Sequence, residues 1–201
     1  TDPPTYQETF YAEADTWVNE AAPTLNYGNG SYLRIGHTAG GDYYQTLVRF
    51  DLADLPAHAI VTGASLELYS EINQMRTAGS TGPAALDIWA DALVGGWEEM
   101  SVTWNSKPSS YNQGDPPSAY SIGWMSWDVT NIVQGWTTGA LNDYGILLRL
   151  TPVETAAFDF QTRTTAVGPK LTIEYTLDPC PAPLTGVRIT GPLTTTTGVS
   201  T

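Results

Sequence analysis

Seven tryptophans, together with only 8 Lys and Arg against 21 Asp and Glu, are the chemically informative features of this 201-residue sequence. A planar indole stacks on the apolar face of a sugar ring, and a row of exposed rings tracks a polysaccharide. Trp89 alternates out of phase with Leu86, Ile88 and Ala90, which points it outward between Asp87 and Asp91. It reads as a sugar platform, a subunit contact or a cover over a second layer of the fold. Trp97, Trp104, Trp127 and Trp136 read as core, and Trp17 and Trp124 rank behind Trp89 as exposed rings. Arg49, Arg149, Arg163 and Lys170 fall in strand-like segments at positions that alternate away from apolar neighbours. They suit either of two roles, gripping uronate carboxylates through charge-assisted hydrogen bonds or pairing with outward Asp and Glu, and the acidic surplus favours the pairing. The candidate ligand-binding set is therefore Trp89, Arg49, Arg149 and Arg163.

Among metals, the acidic balance invites calcium, which takes about six to eight oxygen ligands and pins loops in extracellular domains. Asp15, Asn19 and Asn26 in the N-terminal segment, with Asp159 from a late strand, form the expected set for a structural Ca2+. Zinc is disfavoured, because His37 and His58 lack ligand spacing and Cys180 stands alone. Neither histidine sits near a nucleophile motif, and no phosphate-cradling loop occurs. Glu98 and Glu99 read as solvated or backbone-capping rather than as acid and base. Lys107 and Lys170 are poorly placed for isopeptide cross-links. The chain is expected to be non-catalytic.

A net charge of −13 opposes any phosphate backbone and any anionic lipid surface. No apolar run is long enough to span a bilayer, so membrane insertion is not expected, and a mature exported chain fits the composition.

Positioning these residues falls to strands. Val48, Phe50 and Leu52 alternate with Leu47, Arg49 and Asp51, while Leu66 and Leu68 alternate with Glu67 and Tyr69. Segments around residues 86–91, 126–129, 145–150, 158–163 and 171–175 repeat the period of two, giving about eight or nine strands. One short helix is predicted, with Thr130 capping Asn131 to Trp136 and Gly139 as its stop. Asn73 to Pro83 and Lys107 to Ser121 read as surface loops. The fold class is all-β, a two-sheet antiparallel sandwich with one helix.

Several motifs carry a family resemblance: Ala14 to Val18, Asn26-Tyr27-Gly28, Leu47 to Leu52 with Leu55-Pro56, Trp97 to Asn105 with Pro108, Trp127 to Thr130, and Gly145 to Arg149. In this order, over about Thr9 to Thr176, they resemble a DNRLRE domain. That resemblance implies a jelly-roll-like β-sandwich in exported prokaryotic surface proteins, and some family members are similar to an alginate-binding carbohydrate-binding module.

Composition shifts after residue 177. Residues 178–183 read as a Pro-rich linker and residues 184–201 as an orphan strand, carried by Val187 and Ile189, with a Thr-rich tail. A lone strand cannot bury itself, so Val187 and Ile189 are candidates to join a following sandwich or another subunit, and Tyr6 to Tyr11 is a second strand that could be lent. The expected function is a non-catalytic structural or adhesive module of a cell-surface stalk, sheath or filament. The alternative is a carbohydrate-binding module.

Overall fold

Alternating apolar residues produce ten strands in the computed structural model, which describes residues 3–38, 40–74, 88–112, 122–151 and 156–177. The strands are β1 (Thr5–Asn19), β2 (Leu33–His37), β3 (Tyr43–Phe50), β4 (Ala59–Gln74), β5 (Ile88–Leu93), β6 (Ser110–Asn112), β7 (Gly123–Asp128), β8 (Ile146–Leu150), β9 (Ala156–Phe160) and β10 (Lys170–Leu177). A single helix, α1 (Thr130–Thr138), follows β7. All the strand pairs are antiparallel, in the order β1-β10-β4-β9-β2-β3-β8-β5-β6, and β7 lies on β4.

The expected all-β class is met, but not as two separate sheets. β1 also pairs with β3, which closes β1, β10, β4, β9, β2 and β3 into a ring. The cause is the length of two bent strands. β1 pairs with β10 from Thr5 to Tyr11, passes a bulge between Ala12 and Ala14, and pairs with β3 from there to Asn19. β4 likewise pairs with β10 up to Glu67 and with β9 from Ser70 onward, across a bulge between Ser70 and Ile72. Each bulge bends its strand just past the point where the partner changes. Tyr6 to Tyr11 is thus paired along one edge with β10 of the same chain. Val187 and Ile189, with the linker and tail, lie outside the described residues.

Inside the ring lie Leu66, Leu68, Met125, Trp127, Phe160, Leu171 and Ile173, all at most 1% exposed. The Trp127 indole donates to the Ile88 carbonyl at 2.9 Å, which satisfies the polar atom of the largest core side chain. β3 and β8 are buried on both faces. Val48, Ile146 and Leu148 point into the main core, whereas Leu47 and Leu147 join Ala14, Val18, Leu93, Trp97 and Val102 in a smaller outer core. The turn from Trp97 to Trp104 roofs that outer core, with the Trp97 indole donating to the Tyr144 carbonyl at 2.8 Å.

Helix α1 buries Ile132, Val133 and Trp136 against β4 and stops at Gly139 in a left-handed conformation, as the sequence predicts. Its start differs. The residue before the helix is Val129, and Thr130 is its first residue. The Asp128 carboxylate accepts from the Thr130 amide at 2.9 Å, which frees the Thr130 hydroxyl to accept from the Ala64 amide at 2.9 Å. Of the two expected loops, Asn73 and Gln74 continue β4 and Ser110–Asn112 form β6; residues 75–87 and 113–121 lie outside the described residues. Among the described residues no helix is long and apolar enough to cross a membrane.

Closure of the ring needs Gly36. Its φ is +145°, and a Cβ there would stand 2.1 Å from the Ala156 carbonyl oxygen. Gly36→Ala is expected to cost about 3 kcal/mol, from backbone strain plus displacement of β9, seen as a lower urea midpoint in tryptophan fluorescence.

Candidate functional site

One wall of the ring turns a broad polar surface to solvent. Side chains of an antiparallel pair that sit opposite one another share a face, so the register sets the rows. Across β1, β10, β4 and β7, Thr9 faces Thr172, Thr172 faces Ser65 and Ser65 faces Asp128. The adjacent row runs Tyr11, Lys170, Glu67, Ser126, and on the other side lie Gln7, Glu174 and Gly63. Hydroxyls meet along this grid, Thr9 with Thr172 at 3.3 Å and Ser65 with Ser126 at 2.5 Å. A groove of about 420 Å³ runs over it, lined among others by Gln7, Ser65, Glu67, Ser126, Asp128 and Glu174.

Aromatic rings border the groove. Tyr11 is 71% exposed and Trp124 is 40% exposed. Trp124 faces Tyr69 across β4 and β7, their rings edge to face at 5.4 Å. The Lys170 ammonium pairs with Glu67 at 3.1 Å and lies 4.3 Å from the centre of the Trp124 ring, so the indole orientation is held from two sides. An exposed, oriented indole beside rows of hydroxyls and carboxylates is chemically suited to a pyranose, whose C–H face stacks while its hydroxyls exchange hydrogen bonds with the grid.

The ligand-binding set read from the sequence lies elsewhere. Trp89 is half-buried, directly opposite Arg149, and its indole donates to the Thr151 hydroxyl at 3.2 Å. Arg149 is held by Asp91, itself 2% exposed, through Nε at 2.6 Å. Arg49 pairs with Glu13 at 2.5 Å and donates to the Trp97 carbonyl at 2.8 Å. Arg163 lies in a turn after β9 rather than in a strand, and forms a bidentate pair with Glu99 at 2.7 Å for each bond. Trp89 and Arg149 are thus brought together, Arg49 and Arg163 are not gathered with them, and all the cations of the set serve ion pairs. The same alternation that singled out Trp89 applies to Trp124, which is out of phase with Met125 and Trp127; starting that strand at Gly123 brings it to light. Arg34 carried no such signal, yet it forms a bidentate pair with Asp159 at 2.7 Å for each bond, against the rings of Tyr32, Tyr44 and Trp17. That pairing drives its guanidinium further toward the charged form.

The model of carbohydrate-binding module family 96 matches residues 6–175. The chain belongs to that family. The match carries the carbohydrate-binding name rather than the DNRLRE name that the motifs suggest. The family 96 module is also similar to the tRNA nuclease WapA of Bacillus subtilis (strain 168), 30% identical over 148 residues that make up 67% of this chain and 6% of that protein. It is equally similar to the tRNA3(Ser)-specific nuclease WapA of Bacillus spizizenii, again at 30% over 148 residues. The module spans about 6% of the length of these curated relatives.

The motif residues of the family 96 module knot the roof of the outer core. Asn26 donates to the carbonyls of Glu99 and Val102 at 2.8 and 2.7 Å and accepts from the Gly28 amide at 3.1 Å. Gly28 is obligatory, since a Cβ there would stand 2.2 Å from the Glu99 carbonyl oxygen. Glu99 accepts from the Asp15 amide at 3.0 Å as well as from Arg163, so it caps backbone as expected. Asp15 accepts from the Arg163 amide at 2.5 Å, yet burial outweighs that bond and lifts its pKa from 3.8 to about 6. The four residues expected to hold calcium are each engaged internally: Asp15 with Arg163, Asn19 with the Ala21 amide, Asn26 at the knot and Asp159 with Arg34. No group of three or more His, Cys, Asp or Glu gathers into a metal-binding cluster among the described residues.

Between pH 4 and 6 the folded state keeps a proton on Asp15 that the unfolded state has released, so stability from this group falls as pH rises through that window. Asp15→Asn, which retains the acceptor, is expected to match the parent near pH 3.5 and to exceed it by about 1–3 kcal/mol at pH 7, read from urea unfolding across pH. Because the four oxygen-bearing residues already have partners, excess EDTA is expected to leave the melting temperature of the calcium-equilibrated protein unchanged.

Proposed function

We propose that this chain is a non-catalytic carbohydrate-binding module of an exported cell-surface protein, which takes a polysaccharide across the exposed face of β1, β10, β4 and β7. The observation that carries the reading is the solvent-exposed Trp124 ring, oriented by Tyr69 and Lys170 at the edge of a hydroxyl- and carboxylate-lined groove. Family membership over residues 6–175 supports it. Three inter-strand spacings give a track of about 14 Å, enough for a short stretch of sugar chain.

The comparisons favour polysaccharide recognition over the structural reading, whose two supports were the segment around Val187 and Ile189 and a lendable strand at Tyr6 to Tyr11. The first is outside the described residues, and the second is paired to β10. The nuclease named in the relatives is not transferred to this chain, which covers a small fraction of their length and whose net charge of −13 opposes RNA.

In affinity electrophoresis and on an array of neutral, amino and uronic oligosaccharides, Trp124→Ala is expected to weaken binding on the order of tenfold, with the melting temperature little changed. Trp89→Ala and Arg149→Ala are expected to retain it. Loss on those two variants, with Trp124→Ala binding normally, moves the site to the outer wall and defeats this assignment.

A further inference from the structure

We infer that the Pro-rich segment Asp178 to Pro183 folds back on its own domain and docks in an apolar pocket beside the last turn of α1, which fixes the direction in which the chain leaves the domain. The pocket, of about 230 Å³, is lined among others by Leu52, Leu55, Pro56, Ala57, Ala59 and Trp136. The inference is independent of the glycan reading.

Three observations name this occupant. The first is position. Ala59, which lines the pocket, faces Leu177, the last residue of β10, across one strand spacing of about 5 Å. The segment therefore begins beside the pocket, and in an extended polyproline conformation it spans about 19 Å, enough to cross it. The second is an unanswered donor. Trp136 is 9% exposed, and its buried indole nitrogen has no hydrogen-bond partner among the described residues, whereas Trp97 and Trp127 both donate to carbonyls. A buried donor without an acceptor is costly, and an incoming carbonyl relieves it. The third is the chemistry of the segment. Pro179, Pro181 and Pro183 have no amide hydrogen and carry carbonyls that an extended chain leaves free, so the segment brings apolar rings and acceptors with few donors of its own. Pro-rich chains dock on aromatic-lined pockets in this way and lose little conformational entropy in doing so. The prolines at the other chain end, Pro3 and Pro4, are exposed and leave the pocket to the segment after β10.

Cys180, the single cysteine of the chain, reports docking directly. In the full chain, N-ethylmaleimide is expected to label Cys180 on the order of tenfold more slowly than in the same chain unfolded in urea. Ala57→Arg, at an exposed position of the pocket, is expected to remove that protection with the melting temperature unchanged. The triple variant Pro179→Ser, Pro181→Ser, Pro183→Ser, whose substitutions all lie beyond β10, is expected to do the same. Trp136→Phe keeps an aromatic ring and loses the donor, and is expected to speed labelling about fivefold. As a second measurement, the nitrogen–proton spectrum of the seven indoles is expected to show the Trp136 proton moving upfield in the triple variant, as its hydrogen bond is lost. Labelling of the unaltered chain at the unfolded rate, protection that survives both Ala57→Arg and the triple variant, or a Trp136 signal unmoved by the triple variant overturns the inference.

Discussion

Strand β1 serves two neighbours in succession, and that division decides where the core and the exposed polar face lie. Over Thr5 to Tyr11 it has β10 beside it and one face open to water, so Gln7, Thr9 and Tyr11 alternate outward while Phe10 turns in. Beyond the bulge it lies against β3 under the roof of the outer core, and Ala14 to Val18 are buried without interruption. One chain segment thereby has a half-buried and a fully buried register, and the bulge between Ala12 and Ala14 is the joint between them. The exposed rows on β10, β4 and β7 exist because they extend the first half; the roofed wall on β3, β8 and β5 exists because it extends the second.

The most distinctive motifs work on the roofed wall and not on the exposed polar face. Asn26, Gly28, Glu99 and Arg163 bind a loop, a turn and a strand end to one another through hydrogen bonds whose removal leaves buried carbonyls without donors. Residues under such geometric demand are strongly dictated by the backbone around them. The exposed grid carries no comparable demand, since a threonine, serine or glutamine at a solvated strand position fits equally well. The motifs that identify the fold and the residues of the exposed polar face are therefore different sets.

That separation explains what was readable from the sequence. The period of two placed Val48, Phe50, Leu66 and Leu68 inward, and all are buried, while Leu52 of the same face is half-buried and Leu47 of the opposite face is buried too, because β3 is covered on both sides. The helix and its Gly139 stop were equally visible, because local periodicity and a left-handed C-terminus need no tertiary context. Ring closure was not visible. It depends on which partner each half of β1 and β4 takes, and a bulge leaves little trace in a polarity pattern. The exposed polar face escaped for a related reason: Tyr11, Lys170, Glu67 and Trp124 are far apart in sequence and become neighbours only once β1, β10, β4 and β7 are in register. Trp89 and Trp124 obey the same alternation, yet Trp89 lies on the wall where Arg149 and Thr151 already engage it, while Trp124 lies on the open one.

The placement of cations follows from scarcity. Arg34, Arg49, Arg149, Arg163 and Lys170 each hold a carboxylate at 3.1 Å or less, and Lys107 lies over the Trp104 ring at 4.6 Å. With 8 basic residues against 21 acidic ones, any cation that left its carboxylate to meet a ligand would strand a negative charge, and for Asp91, at 2% exposure, that charge would be buried. Recognition through these arginines therefore carries a penalty that recognition through surplus acceptors does not. Carboxylates, hydroxyls and an indole are the groups this domain has in excess at its surface, and they are the groups that the open face presents.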